Sequence, residues 1–331
     1  MTATGDTLER AQGCLLGQLA GDSLGGLVEF RSVDWIRRAY PDGCRELTDG
    51  GTWNNLAGQA TDDSEMVLML ARTLVRTGRY DRGAVLDAYI HWWAGAFDHG
   101  GTLRMALAPA SAGRTPEDRL RLAAENANQS SQSNGSLMRI SPLGIFGAGR
   151  PDRAAEWARE DSRLTHPHLI CQDCCAVYVA AIAVAIAGGD ARACHQAALA
   201  EADRAGADPE VRAVLQAAQL GPPADYVTQQ GWVKIALHNA FYQVLHAASV
   251  EEGVVDTVMR GGDTDTTAAI AGALLGAVHG RRQVPARWVE VLRQCRPVKG
   301  AKTAHPRPEE FWPVDAPELA EQLLAVGQAC P

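Results

Sequence analysis

Gly261, Gly262, Asp263, Thr264, Asp265, Thr266 and Thr267 run directly into residues 268–276, every one of them small or apolar. A helix without a polar face is a buried helix, and this one opens on two carboxylates. The positive end of the helix dipole offsets part of their charge, but two acids desolvated together call for a cation. Donors that are all oxygen select a hard ion such as Mg²⁺, Mn²⁺ or Ca²⁺ over zinc. Standing alone, the stretch reads better as two capping acids on a surface helix, because capping acids are common.

A second stretch reverses that preference. Thr61, Asp62, Asp63, Ser64 and Glu65 open another helix, whose Met66, Val67, Leu70, Ala71, Leu74 and Val75 fall on one face. Two Thr/Asp clusters so far apart in the chain cannot cap one another locally. A fold that brings them together makes a two-cation site.

The periodicity predicts helices over 7–26, 64–77, 81–96, 116–126, 152–162, 170–187, 190–205 and 208–219. Others are predicted over 231–248, 251–259, 265–280, 286–295 and 316–329, with no clear strand, so the fold class is all-α. No composition shift or repeat divides the chain, and 1–331 is expected to be a single domain. Glycines at 13, 17, 21 and 25 of the first helix cost about 1 kcal/mol each relative to alanine and let another helix approach closely. Gln18 and Asp22 on that helix argue for close internal packing rather than a membrane dimer face, with Asp22 supporting nearby structure. Residues 41–60 are rich in Gly and Asp and read as loop.

A net charge of −8 with no basic block excludes a nucleic-acid backbone as main partner. No uninterrupted apolar run reaches spanning length, and the first ten residues lack the features of a signal peptide. The expected location is the cytoplasm, away from membranes, and the expected state is a monomer. The eight cysteines do not form a disulfide framework in a chain of this length. Cys171, Cys174 and Cys175 lead into an apolar helical run and are expected to be core thiols.

Several segments together carry a resemblance. They are residues 13–25 with Glu29; Thr61, Asp62, Asp63 and Ser64; and Phe97, Asp98, His99 and Gly100. They continue with Ser133, Asn134, Gly135 and Ser136 followed by Arg139; residues 165–168; Gly231, Trp232 and Val233; and residues 261–266. In this order the chain resembles the ADP-ribosylglycohydrolase family, of the dinitrogenase-reductase-activating glycohydrolase and ADP-ribosylarginine hydrolase kind. It departs mildly at Ser64, where Thr is commoner, and at Trp232, where Tyr is commoner.

The resemblance implies a compact orthogonal helical bundle with a dinuclear metal cleft. It implies two Mg²⁺ ions, with Mn²⁺ as an alternative, held by Thr61, Asp62, Asp63, Asp263, Asp265 and Thr266. Such ions would hold ribose hydroxyls and activate water. It places Asp98 beside the ribose and guanidinium, as ion partner or proton shuttle. Glu29, in a Gly-rich linker, is expected to close over the site and orient water. Gly100 belongs to the substrate-binding set.

Residues 126–136 are almost all hydroxyl and amide. Asn134 and Gly135 allow a left-handed turn whose N–H groups form an anion nest, and the resemblance puts the diphosphate and distal ribose against Ser133, Asn134, Gly135 and Ser136. The same resemblance implies that His166 shapes the cleft and that Trp232 stacks on adenine. His166 and His168 flank Pro167, but no further ligand set completes a zinc site.

The implied activity is hydrolysis of mono-ADP-ribose from arginine on a modified protein, reversing a regulatory or toxin-made modification. Release from serine and non-catalytic ADP-ribose binding are the alternatives. Paired acids argue against a mere scaffold, which gains nothing from desolvating them.

Overall fold

In the computed structural model, which describes residues 5–330, the chain folds into helices. They are α1 (Gly5–Gly25), α2 (Val33–Ala39), α3 (Asp62–Thr77), α4 (Arg82–Trp93), α5 (Gly101–Ala110), α6 (Pro116–Asn126), α7 (Ser141–Phe146) and α8 (Pro151–Arg163). They continue as α9 (Leu169–Ile186), α10 (Ala191–Ala205), α11 (Pro209–Ala217), α12 (Val233–His246), α13 (Val250–Met259), α14 (Thr264–His279), α15 (Ala286–Gln294) and α16 (Ala316–Ala329). Among the described residues there is no sheet; extended pairing is confined to the isolated bridges Gly50–Asn55 and Ser133–Trp232.

The centre of the bundle is the antiparallel pair α1 and α14. Gly13 meets Gly276, Gly17 meets Gly272, Gly21 meets Ala268, and Gly25 meets Thr264 and Asp265. A Cβ added at any of these four α1 glycines would fall inside contact distance of the facing backbone. The partner of the glycine repeat is therefore a second small-residue repeat of equal spacing, Ala268, Gly272 and Gly276. Backbone-to-backbone packing of this kind fixes register, because each four-residue step on α1 has one complementary step on α14. That register puts Asp22 and Gly25 beside the acid-bearing start of α14, where the Thr264 hydroxyl donates to the Gly25 carbonyl (2.8 Å).

Around this pair one apolar cluster runs from Ala11 on α1 to Leu324 on α16. Two buried ion pairs cross it. Arg139 is fully buried and donates to Asp161 (2.8 Å), whose other carboxylate oxygen accepts from the Tyr89 hydroxyl (2.9 Å). Arg307 forks onto both oxygens of Glu65 (2.7 and 2.8 Å), and Trp92 donates to the same carboxylate (2.8 Å). Each charge is both paired and hydrogen-bonded, the condition for keeping it in an apolar interior.

Three helices of the structure, α2, α5 and α7, lie outside the segments predicted from periodicity. Gln172 and Asp173 interrupt the apolar run of α9, yet the helix is long and apolar enough overall to match a membrane span. That helix is 18 residues long with a mean hydropathy of 2.1. The apolar surface is covered from within the protein, since 83% of the span is buried. Cys171, Cys174 and Cys175 lie inside this helix as buried thiols, and burial pushes the Cys175 thiol up to about 11.

Candidate active site

The seam between α1 and α14 ends in a cleft of about 290 Å³. Three helix starts converge there. Asp62 is the first residue of α3, Asp263 immediately precedes α14 with Asp265 in its first turn, and Gly100 immediately precedes α5. Glu29 and Asp98 arrive on the loops after α1 and before α5 and also line the cleft. The two Thr/Asp clusters thus meet, as the paired acids require.

Each helix start is prepared differently. The cap residue of α3, Thr61, makes no capping bond of its own. The Asp22 carboxylate of α1 substitutes for it, accepting from the backbone N–H of Thr61 (3.2 Å), the Thr61 hydroxyl (2.9 Å) and the backbone N–H of Ser64 (3.1 Å). These bonds hold Asp22 down, but burial outweighs them and pushes its carboxyl up to about 6. On α14 the Asp263 side chain does not cap the helix. It accepts instead from the Asn134 amide (2.7 Å), which ties the 133–136 segment to the acids.

The acids crowd one another. One carboxylate oxygen from each of Glu29, Asp263 and Asp265 lies within 4.8 Å of the other two. Burial, and then Asp98, holds Asp62 well above the usual carboxylate range. Burial, then Asp62, does the same to Asp63, and burial, then Glu29, to Asp265. Glu29 is pushed up to about 8 by burial, then by Asp98 and Asp263; Asp98 reaches about 7 by burial, then Asp22 and Asp263. Among the described residues no basic side chain forms an ion pair with any of them. Asp63 adds a sharper sign. Its Oδ2 faces the hydroxyls of Thr61 (3.2 Å) and Thr266 (3.3 Å), while its buried Oδ1 has no partner at all. An orphaned buried carboxylate oxygen among repelling, all-oxygen donors fits a hard dication.

The polar wall opposite is organised by a relay. Arg139 donates to the Thr165 hydroxyl (2.8 Å), so that hydroxyl donates onward to His166 Nδ1 (2.8 Å). Nε2–H of His166 is left to donate to Ser133 Oγ (3.0 Å), which donates to Thr102 Oγ1 (3.1 Å). His166 stays neutral, because burial and then the Arg139 charge hold it well below its ordinary range. Past this wall the cleft opens onto a shallower trough bounded by Ser133, Gln230, Gly231 and Trp232. The Trp232 indole is half-buried, donates to Gln132 Oε1 (2.9 Å) and carries the Lys234 ammonium 3.9 Å from its ring centre.

Of the residues singled out by sequence, Glu29, Asp62, Asp98, Gly100, Ser133, Asn134, Gly135, His166, Asp263, Asp265 and Thr266 line the cleft. Thr61 and Asp63 lie buried beneath it. Ser136 faces away: it is fully buried, with its hydroxyl taken by Ser162 (3.0 Å). Trp232 belongs to the outer trough.

Two expectations change. Asn134 and Gly135 form no left-handed nest, for neither has a positive φ, and residues Asn134–Ser136 make a right-handed 3-10 turn. A Cβ at Gly135 would press on the His166 ring at 3.0 Å, so the glycine keeps the turn close against that ring. Nor is Glu29 on a free loop. It is only 5% exposed and is bonded to Trp53 (2.9 Å), a residue the sequence reading passed over as part of a Gly-rich loop.

The sequence profile of the ADP-ribosylglycohydrolase family matches residues 3–329. The chain belongs to that family. It is 29% identical to an ADP-ribosylarginine hydrolase, Tri1, of Pseudomonas putida (strain GB-1), over 86% of this chain and 74% of the relative. It is also 29% identical to the ADP-ribosyl-[dinitrogen reductase] glycohydrolase of Rhodospirillum rubrum, over 86% and 90%. A vertebrate relative, the ADP-ribosylhydrolase ARH3 of Bos taurus, is 24% identical over 85% and 88%. A solved structure titled an ADP-ribosylglycohydrolase-related protein complex superposes with a TM-score of 0.77 at 24% identity. It covers 98% of this chain and all of its own, and it shows the fold. The family makes the protein a hydrolase.

Proposed function

We propose that this hydrolase releases mono-ADP-ribose from arginine side chains of modified proteins. The observation that carries the proposal is Asp98, an acid lining the cleft next to the crowded acids, with no ion-pair partner among the described residues. A carboxylate so placed is matched by a cationic leaving group. The names of the two relatives at 29% identity, one an arginine hydrolase, support the same reading.

The layout follows ADP-ribose end to end. The acid pole would hold two Mg²⁺ ions through Thr61, Asp62, Asp63, Asp263, Asp265 and Thr266, with Glu29 joining Asp263 and Asp265. When bound, such ions orient ribose hydroxyls and lower the pKa of a water. Next along the cleft, α5 presents an N-terminus with no side-chain cap, whose free N–H groups suit a diphosphate. Ser133 and Thr102, held by the His166 relay, offer hydroxyls to the sugar–phosphate backbone. Trp232 then offers a ring face to adenine, worth about 1–3 kcal/mol of stacking.

In the reaction the bond between ribose C1″ and the guanidinium nitrogen breaks, and water supplies OH to C1″ and a proton to the nitrogen. Asp98 pairs with the guanidinium and steers that proton. The other acids bind and orient.

Matched peptides carrying ADP-ribose on arginine or serine test the proposal. Release from arginine is expected to be much faster, and Asp98→Ala should lose turnover far more than ADP-ribose affinity. A serine preference would overturn the linkage, and binding without release from either would favour a non-catalytic reader of ADP-ribose.

A further inference from the structure

Among the described residues only two non-glycines have positive φ, Phe30 (61°) and Asn54 (53°). Left-handed backbone costs an L-residue about 1 kcal/mol or more, and a bulky residue such as phenylalanine is an outlier there. These two segments meet at one side chain. Phe30 directly follows Glu29, and Asn54 directly follows Trp53, whose indole N–H donates to Glu29 Oε2 at 2.9 Å.

The loop bearing Trp53 is built as a clasp. Gly50 and Asn55 close it through paired backbone bonds of 2.8 and 2.9 Å. The Thr52 N–H donates to the Gly26 carbonyl (3.0 Å), and the Thr52 hydroxyl donates to the Glu29 carbonyl (2.8 Å). Gly51 has φ 76° and packs so closely on Gly26 and Leu27 that a Cβ would collide with their backbone. From the other side, the N–H of Ala304 donates to the Asn54 carbonyl (3.1 Å). The indole itself stands edge-on to Phe97 (6.0 Å, 69°) and His305 (6.4 Å, 70°), which stack on each other at 4.2 Å. Backbone and ring are thus held from opposite sides, and what they hold in place is one N–H aimed at one carboxylate.

We propose that the 50–55 turn is a positioning device for Glu29, with the Trp53 indole N–H fixing the Glu29 carboxylate for divalent-cation binding together with Asp263 and Asp265. The inference rests on the proposed cation site. A carboxylate bonded through one oxygen cannot rotate freely, so the direction from which it meets an ion is set before the ion arrives. Partners of this kind, one shell out from a metal, change affinity by about 10–100-fold when removed. Trp53 touches neither the cation nor the substrate in this account; it acts through Glu29.

The test is calorimetric titration of the full chain with Mn²⁺, alongside thermal melts. Trp53→Phe keeps the ring against Phe97 and removes only the donor; it is expected to weaken Mn²⁺ binding by about ten-fold or more. Thr52→Val, which releases the Glu29 carbonyl, should act in the same direction and decides the matter if Trp53→Phe does not fold. In a Glu29→Ala background Trp53→Phe should cost nothing further, the mark of action through one residue. Wild-type affinity in Trp53→Phe, or equal losses in both backgrounds, overturns the positioning role while leaving the cation site standing. No Mn²⁺ bound by the wild type sinks the cation site itself, and the positioning role with it.

Discussion

At the scale of single residues, the site is a collection of acids that repel until something positive joins them. Asp265→Asn and Asp62→Asn are therefore expected to abolish turnover while leaving the chelated protein at least as heat-stable as the wild type, because each removes one member of a mutually repelling set of acids. Release of ADP-ribose with Mg²⁺ supplied, and melting in EDTA, check both halves; sustained turnover in either variant would refute the two-cation reading. The same crowding sets a pH dependence. Glu29 rises from an ordinary 4.5 to about 8, and Asp98 from 3.8 to about 7. The folded state thus holds these protons more tightly than the unfolded chain. Their contribution to stability is complete below about pH 4 and is lost as pH rises through 7 and 8. Metal-free protein should melt at a lower temperature at pH 8 than at pH 5.5, and Mg²⁺ should raise the melting temperature more at pH 8. A melting temperature flat across that range would count against the crowding. Asp62, Asp263, Asp265 and Thr266 were legible as two Thr/Asp clusters opening apolar helices, whereas Glu29, Asp98, Gly100, Ser133, Asn134, Gly135 and His166 were found through the family resemblance. Trp53 was found neither way, since one indole in a glycine-rich loop has no periodicity and its partner lies in another segment. Ser136 shows the converse: membership of a polar run does not say which hydroxyls face inward.

At the scale of elements, the α1–α14 seam carries the geometry. Gly17→Ala would set a methyl against the Gly272 carbonyl. The gain of about 1 kcal/mol in helix propensity is outweighed by overpacking, which costs about 1–3 kcal/mol and more where backbone itself must shift. Because the seam also registers Asp22 against α3 and Asp265 against Glu29, this remote variant should lose turnover as well as stability. Melting and turnover measured together check it, and a stable, fully active Gly17→Ala would show the seam to be looser than its packing. The long helices were readable from apolar spacing. α5 and α7, at Gly101–Ala110 and Ser141–Phe146, were not, since a proline, which reads in sequence as a helix breaker, lies in each. The glycine repeat announced a close partner without naming it, although residues 268–276 carry the matching spacing.

At the scale of the molecule, one apolar cluster joins α1 to α16, and we expect the chain to unfold as a single unit. Scanning calorimetry should give one transition, coincident with loss of turnover; two resolved transitions would divide the chain into separate domains. The all-helical class was readable from sequence, but the interlocking of its two ends was not, because α16 packs on α1 through contacts that no local pattern encodes. That interlocking has a consequence for how the protein is made. The bond from Thr264 to Gly25 spans 239 residues, so α1 leaves the ribosome long before α14 exists. At about 5–20 residues per second the bare glycine groove waits on the order of 10–50 seconds for its only fitting partner. Throughout most of synthesis the nascent chain carries α1 without the helix that packs on its glycines, and the two acid clusters can meet only after the start of α14 has emerged.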